Sequence, residues 1–192
     1  MRSRAALLAL ALAFVACSAF AQADAALVAK LRQGGYVLFL RHTSTDFGQN
    51  DAQMKSFDDC ASQRNLTDKG RDEARALGAE IKRLGIPIGL VHASPFCRTQ
   101  ETARLAFGRA DRTSEARGGP ANTNDPTRYE PLRQLLTTKP PRGMNAVIAS
   151  HGNPFYALLG PPYLAEGEMA VVDPSAFVVV GRIRLGDWQA LD

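Results

Sequence analysis

Tyr36-Val37-Leu38-Phe39-Leu40-Arg41-His42-Thr43 is the stretch on which the fold turns. Five apolar residues without polar alternation suit a strand buried on both faces, and such strands belong to parallel sheets covered by helices. The arginine and histidine fall just past its C-terminal end. In open α/β sheets that edge is where ligands bind.

Working outward, Asp24 to Gln33 reads as a helix ended by Gly34-Gly35, and Thr43 to Asn65 as a long polar loop. Thr67 is placed to cap a helix reaching Leu84, with Ala74, Leu77, Ile81 and Leu84 on one face and Gly85 as its stop. Ile88 to Ala93 reads as a strand, Arg98 to Phe107 as a helix, Gly118 to Pro126 as loop, and Tyr129 to Leu136 as a short helix. Asn145 to Ser150 is another apolar strand, followed by a helix from Pro154 to Leu159 and by strands at Met169 to Val172 and Phe177 to Leu185. Strands alternating with helices predict an α/β domain, three-layered α/β/α, around a central, mostly parallel sheet.

Three polar clusters follow three of these strands: Arg41-His42-Thr43, Ser94-Pro95-Phe96-Cys97-Arg98-Thr99, and Ser150-His151-Gly152-Asn153. Folding would gather them on one rim carrying two histidines and two arginines, with no acidic cluster. Guanidinium groups donate paired hydrogen bonds to phosphate oxygens and hold their charge permanently. Flanking cations favour a neutral imidazole, whose free ring nitrogen can attack phosphorus. Singly, an Arg-His pair, a helix arginine or a His-Gly turn has an ordinary structural reading. Their joint placement at three strand ends is what argues for a phosphoryl site. His92 lies within a strand and reads as structural. A rival class, with His42, His151 and His92 holding a metal, is disfavoured by the nearby arginines and the lack of carboxylate ligands.

The same residues carry a family likeness. Leu40-Arg41-His42-Thr43 resembles the R-H-G signature of the histidine phosphatase superfamily, and Leu66-Thr67-Asp68-Lys69-Gly70-Arg71-Asp72-Glu73-Ala74 its L-T-x-x-G-x-x-Q-A helix. Ser94-Pro95-Phe96-Cys97-Arg98-Thr99-Gln100-Glu101-Thr102-Ala103 is similar to its S-P-x-x-R-x-x-Q-T-A segment, and Ala149-Ser150-His151-Gly152 to its second-histidine motif. The resemblance implies a phosphoglycerate-mutase-like fold and a phosphatase that needs no metal or other cofactor. It implies that His42 is the phosphorylated nucleophile and that Arg41, Arg98 and His151 bind the phosphoryl group. It also implies a carboxylic acid that protonates the leaving oxygen. Here the sequence departs from the family: the glutamate of the mutase branch has no counterpart, and where another branch has His-Asp this chain has His151-Gly152. Glu168 is the first candidate for the acid, with Glu130 and Asp46 as alternatives. An absent donor would suit substrates with good leaving groups, such as phosphohistidine or acyl phosphate, and a phosphoryl-binding protein without turnover is the alternative to an enzyme. Loop 43–65 and segment 108–138 are expected to line the pocket mouth. Arg64 would reach a second anionic group or pair with a nearby acid, and pairing is the commoner fate of a loop arginine.

The 192 residues suit one domain, assigned to residues 24–192. Before it, Arg2 and Arg4, the apolar run Ala5 to Ala16 and Ala19-Phe20-Ala21 read as a signal peptide, cleaved after Ala21 or Ala23. Lipidation at Cys17 is the minor alternative, and the only route seen to a stable membrane anchor. The expected location is periplasmic or secreted. Removing Arg2 and Arg4 from 23 basic residues leaves 21 against 19 acidic ones, too even a balance to indicate nucleic acid as a partner. The expected partner is a small phosphorylated substrate. After cleavage only Cys60 and Cys97 remain, and an oxidising compartment favours a bridge between them.

Overall fold

The computed structural model describes residues 25–117 and 127–191. The segment read above as a signal peptide and the segment 118–126 read as loop lie outside them. Helix α1 covers residues 25–33. There follow β1 (Val37–Arg41), α2 (Asp68–Arg83), β2 (Ile88–Ala93), α3 (Cys97–Phe107) and β3 (Asp111–Arg112). The chain continues through α4 (Glu130–Thr137), β4 (Asn145–Ser150), α5 (Gly152–Leu159), β5 (Met169–Asp173) and β6 (Val178–Ile183).

The strands form one six-stranded sheet in the order β3-β2-β4-β1-β5-β6. The pairs β3/β2, β2/β4 and β4/β1 are parallel, whereas β5 runs antiparallel to both β1 and β6. The sheet is therefore mixed and mostly parallel.

β1 is buried on both faces, and its alternation divides the core. Leu38 and Leu40 pack with Val28 and Leu31 of α1, Leu77 and Ile81 of α2 and Ala103 of α3. Val37 and Phe39 pack on the opposite face with Leu132 and Leu136 of α4 and Phe155 of α5. The result is three layers, helices on each side of the sheet. Thr67 caps α2 by accepting a hydrogen bond from Gly70 N at 3.0 Å.

The sheet order matters most for the site, because it sets the ends of β2, β4 and β1 side by side. Arg41 pairs with Ser150 and Ala93 with Ala149. Beyond the ladder, His42 N donates to Ser150 O at 3.1 Å and Ser94 N to Ala149 O at 2.9 Å. The polar residue that follows each strand thus emerges on one edge.

Candidate active site

A cavity of about 640 Å³ opens at that edge, lined among others by Arg41, His42, Arg98 and His151. Four of the five residues singled out from sequence are therefore gathered in one place. His42 is 1% exposed and His151 8% exposed, and their ring centroids lie 5.5 Å apart.

The tautomer of His42 follows from its neighbour. Its Nδ1 lies 3.0 Å from the carbonyl oxygen of Thr43, which can only accept, so Nδ1 carries the hydrogen. In the neutral ring the lone pair is then on Nε2. Burial lowers the pKa of His42 to about 3, partly offset by the Thr43 hydrogen bond and reinforced by the charges of Arg98, Arg41 and Arg64. Burial likewise holds His151 well below the ordinary imidazole value, with His42 and the arginines adding to the effect. Its Nε2 lies 2.9 Å from Ser94 Oγ.

The arginines are held from behind. Arg41 Nη1 donates to Leu164 O at 2.7 Å, Nη2 lies 3.5 Å from Glu166 Oε1, and the guanidinium sits 5.3 Å from the centre of the Tyr163 ring. Arg98, at the first turn of α3, donates from Nη1 and Nη2 to the two carboxylate oxygens of Asp51 at 3.0 and 3.1 Å, and from Nη1 to Arg64 O at 3.1 Å. The Nε atoms of Arg41, Arg64 and Arg98 are buried without an acceptor among the described residues. Buried donors in that state suit an oxyanion.

The loop between β1 and α2 forms one wall. Its base closes through the Thr45–Leu66 bridge and through Thr67 N donating to Ser44 O at 3.1 Å. A disulfide joins Cys60 to Cys97, with Cα atoms 5.7 Å apart, and Gln63 Oε1 accepts from Cys97 N at 3.0 Å. The loop is thereby fastened to the start of α3, one residue from Arg98. From it Asp51, Phe57 and Arg64 face the cavity. Gly70 lets α2 approach this loop: a Cβ there would lie 2.0 Å from the carbonyl oxygen of Ser44. That close approach accounts for the glycine of the L-T-x-x-G pattern.

Several expectations need correction. The rim does carry acids. Glu166 accepts from Thr45 Oγ1 at 2.6 Å and lies 3.9 Å from His42 Nδ1, and Asp51 lines the cavity. Glu168 is not brought to the cavity. It is 4% exposed, accepts from Arg182 Nε and Ala165 N at 2.8 Å each, and its pKa is lowered by those bonds against the effect of burial. Glu130 lies beside Arg133 on α4, and Asp46 accepts from Gly48 N; neither reaches the cavity. Arg64 makes no ion pair among the described residues and instead lies 5.0 Å from the Phe47 ring centre. His92 stands apart from the other two histidines, with Nδ1 3.2 Å from Thr113 Oγ1. Of segment 108–138, Arg117 lines the cavity and residues 118–126 lie outside the described residues.

Residues 37–119 match the family model of the histidine phosphatase superfamily (branch 1). No curated protein sequence matches the chain. Among solved structures, the fold is similar to the protein histidine phosphatase SixA complexed with tungstate, at 20% identity and a TM-score of 0.54, over 79% of this chain and 98% of that one. It is also similar to TTHB049 from Thermus thermophilus, at 19% identity and a TM-score of 0.55, over 78% and 99% of the two chains. A phosphoserine phosphatase variant from Entamoeba histolytica in complex with phosphoserine aligns at 16% identity and a TM-score of 0.50, over 71% and 89%. Residues 37–119 are thus similar to the histidine phosphatase superfamily (branch 1), and the fold around them is similar to that of these solved structures.

Proposed function

We propose that the chain is a phosphatase that passes through a phosphohistidine at His42 and requires no metal. The observation that carries this reading is the state of His42: buried, neutral, with Nδ1 committed to Thr43 O and Nε2 free, in a cavity walled by guanidinium groups. A neutral imidazole at neutral pH is a nucleophile with no proton to lose before attack. Arg41 and Arg98 supply paired donors to the oxygens of the transferring phosphoryl group, and their charge offsets the negative charge that builds at phosphorus. Arg64, free of ion pairs among the described residues, joins them. His151 Nε2 pairs with Ser94 Oγ at 2.9 Å, and in the tautomer in which the hydroxyl donates, the ring proton sits on Nδ1 and is available to the phosphoryl group.

The substrate in this reading is a small phosphomonoester, or a phosphohistidine or acyl phosphate whose leaving group departs readily. The cavity is of a size for small molecules. The chain works outside the cytoplasm, its first 21 residues serving as a signal peptide ahead of a single domain. The Cys60–Cys97 disulfide supports that placement, since such bonds persist in oxidising compartments.

The test is an acid quench with labelled p-nitrophenyl phosphate in the presence of EDTA. An acid-labile, base-stable adduct that disappears in His42→Ala is expected; turnover without it removes the covalent mechanism. One observation favours a second reading, a phosphoryl-binding protein without turnover: Asp51, the carboxylate facing the cavity, is committed to Arg98. Phosphate binding by calorimetry, with no hydrolysis of any phosphoester tried, would support that reading instead.

A further inference from the structure

The residue after His151 is glycine, and the space its side chain would fill is already occupied. A Cβ on Gly152 would lie 2.1 Å from Tyr163 Cε1, 2.3 Å from Cζ and 2.5 Å from the hydroxyl oxygen. The phenol thus reaches back from the segment between α5 and β5 and sets its hydroxyl against the backbone next to the second histidine. Tyr163 lines the same cavity as His42. Its hydroxyl donates to Asn153 Oδ1 at 2.6 Å, and rotation about the C–O bond can redirect that hydrogen toward the cavity.

The other lining groups are poorly suited to give a proton. Asp51 is paired through both oxygens with Arg98. The arginines do not release theirs. His42 uses its ring for attack, and a neutral His151 is a far weaker acid than a phenol. The hydroxyl of Tyr163 is an O–H donor with a proton to give. The guanidinium of Arg41 stands over its ring, 5.3 Å from the centroid, where it would stabilise a phenolate.

We propose that Tyr163 is the proton donor to the leaving group and the base that later receives a proton from water. The assignment rests on the phosphatase reading. In the first step His42 Nε2 bonds to phosphorus while the P–O bond to the leaving group breaks; the phenol proton passes to that oxygen, releasing an alcohol and leaving the phenolate. In the second, a water oxygen bonds to phosphorus, the P–N electron pair returns to Nε2, and the proton lost by water goes to the phenolate. Inorganic phosphate leaves and both residues are regenerated.

The experiment compares the full chain with Tyr163→Phe on two esters: glycerol 2-phosphate, whose alkoxide needs a proton, and p-nitrophenyl phosphate, whose phenolate does not. Tyr163 is 46% exposed, so the folded state should survive loss of one hydroxyl, and a thermal melt checks this. The expected result is a loss of about a hundredfold or more in kcat/KM on glycerol 2-phosphate and a loss at least about tenfold smaller on p-nitrophenyl phosphate, since kcat/KM ends at release of the leaving group and leaves out hydrolysis of the adduct. Equal losses, no loss, or a parent protein that cleaves the aryl ester but not the alkyl one would each overturn the assignment. If the parent protein cleaves neither ester and forms no His42 adduct, the phosphatase reading fails and takes this proposal with it. If the adduct forms and only the ester discrimination is missing, the fault lies with Tyr163 alone.

Discussion

The carboxylate of Asp51 meets both terminal nitrogens of Arg98, at 3.0 and 3.1 Å, across a separation of 47 residues. It holds the guanidinium face that a phosphoryl group would use. An incoming anion has to displace it, so Asp51→Asn should tighten inhibition by vanadate by about tenfold, from the stronger pairing of a fully charged carboxylate. Asparagine keeps an oxygen for Arg64 N, which Asp51 Oδ1 now serves at 2.9 Å. Steady-state inhibition constants provide the check. An unchanged constant would mean that the pair opens without competing.

The buried histidines make stability depend on pH in a definite direction. The pKa of His42 is about 3 in the folded protein, against an ordinary value of 6.5, and that of His151 is also lowered. The unfolded chain therefore takes up protons first as pH falls, and stability drops from about pH 6.5 downward. The slope approaches about 1.4 kcal/mol per pH unit for each histidine. Glu168, whose pKa is lowered in the folded state, adds its own loss only below its unfolded value of about 4.5. Urea denaturation between pH 7 and 5 should show the decline, and His42→Gln should make it shallower.

Gly70→Ala is expected to be more damaging than an ordinary helix substitution. The new methyl would meet the Ser44 carbonyl, which is backbone and has little room to yield. A destabilisation of about 2 kcal/mol or more is expected, since overpacking of this kind forces backbone shifts. The displaced segment follows His42 directly, so activity should fall more than stability alone explains. Thermal melts together with kcat/KM measure both.

Glu168→Gln separates structure from chemistry. It leaves Arg182, whose side chain is 21% exposed, without its carboxylate. A loss of about 3 kcal/mol is expected from breaking a largely buried pair. The ratio of alkyl to aryl ester turnover should stay unchanged, because Glu168 does not reach the cavity.

Much of this arrangement can be read from sequence, for a physical reason. β1 and β4 are apolar runs, and α2 repeats its apolar residues at helical spacing under a threonine cap, so local pattern and burial agree. Strand ends then locate Arg41, His42, Arg98 and His151 without any knowledge of the loops. β3 is missed because Asp111 and Arg112 are two exposed polar residues with no pattern to report. The antiparallel direction of β5 is likewise unreadable, since an apolar strand looks the same in either direction. The acids escape for another reason. Asp51 and Glu166 sit in irregular segments whose position is set by contacts distant in sequence, and Glu166 differs from the favoured Glu168 by two positions. Arg64 follows the same logic: its freedom from ion pairs depends on Asp51 facing Arg98. Tyr163 has one trace in the sequence, the bare glycine after His151, which gains meaning only once the overlying ring is seen.

The Cys60–Cys97 bond closes a loop of 37 residues, and on a chain-entropy account its reduction should cost about 3–4 kcal/mol. Denaturation with and without dithiothreitol, or of Cys60→Ser, measures this.

The same bond also fixes when the cavity is ready. Asp51, Phe57 and Arg64 are carried on a segment that oxidation of two thiols ties to α3. Once it is tied, a small substrate meets a wall already in position, and little ordering entropy is charged to binding. Before oxidation the same sequence would present its arginines on a looser frame. The wall of the cavity is then set by a covalent event, the oxidation of two thiols.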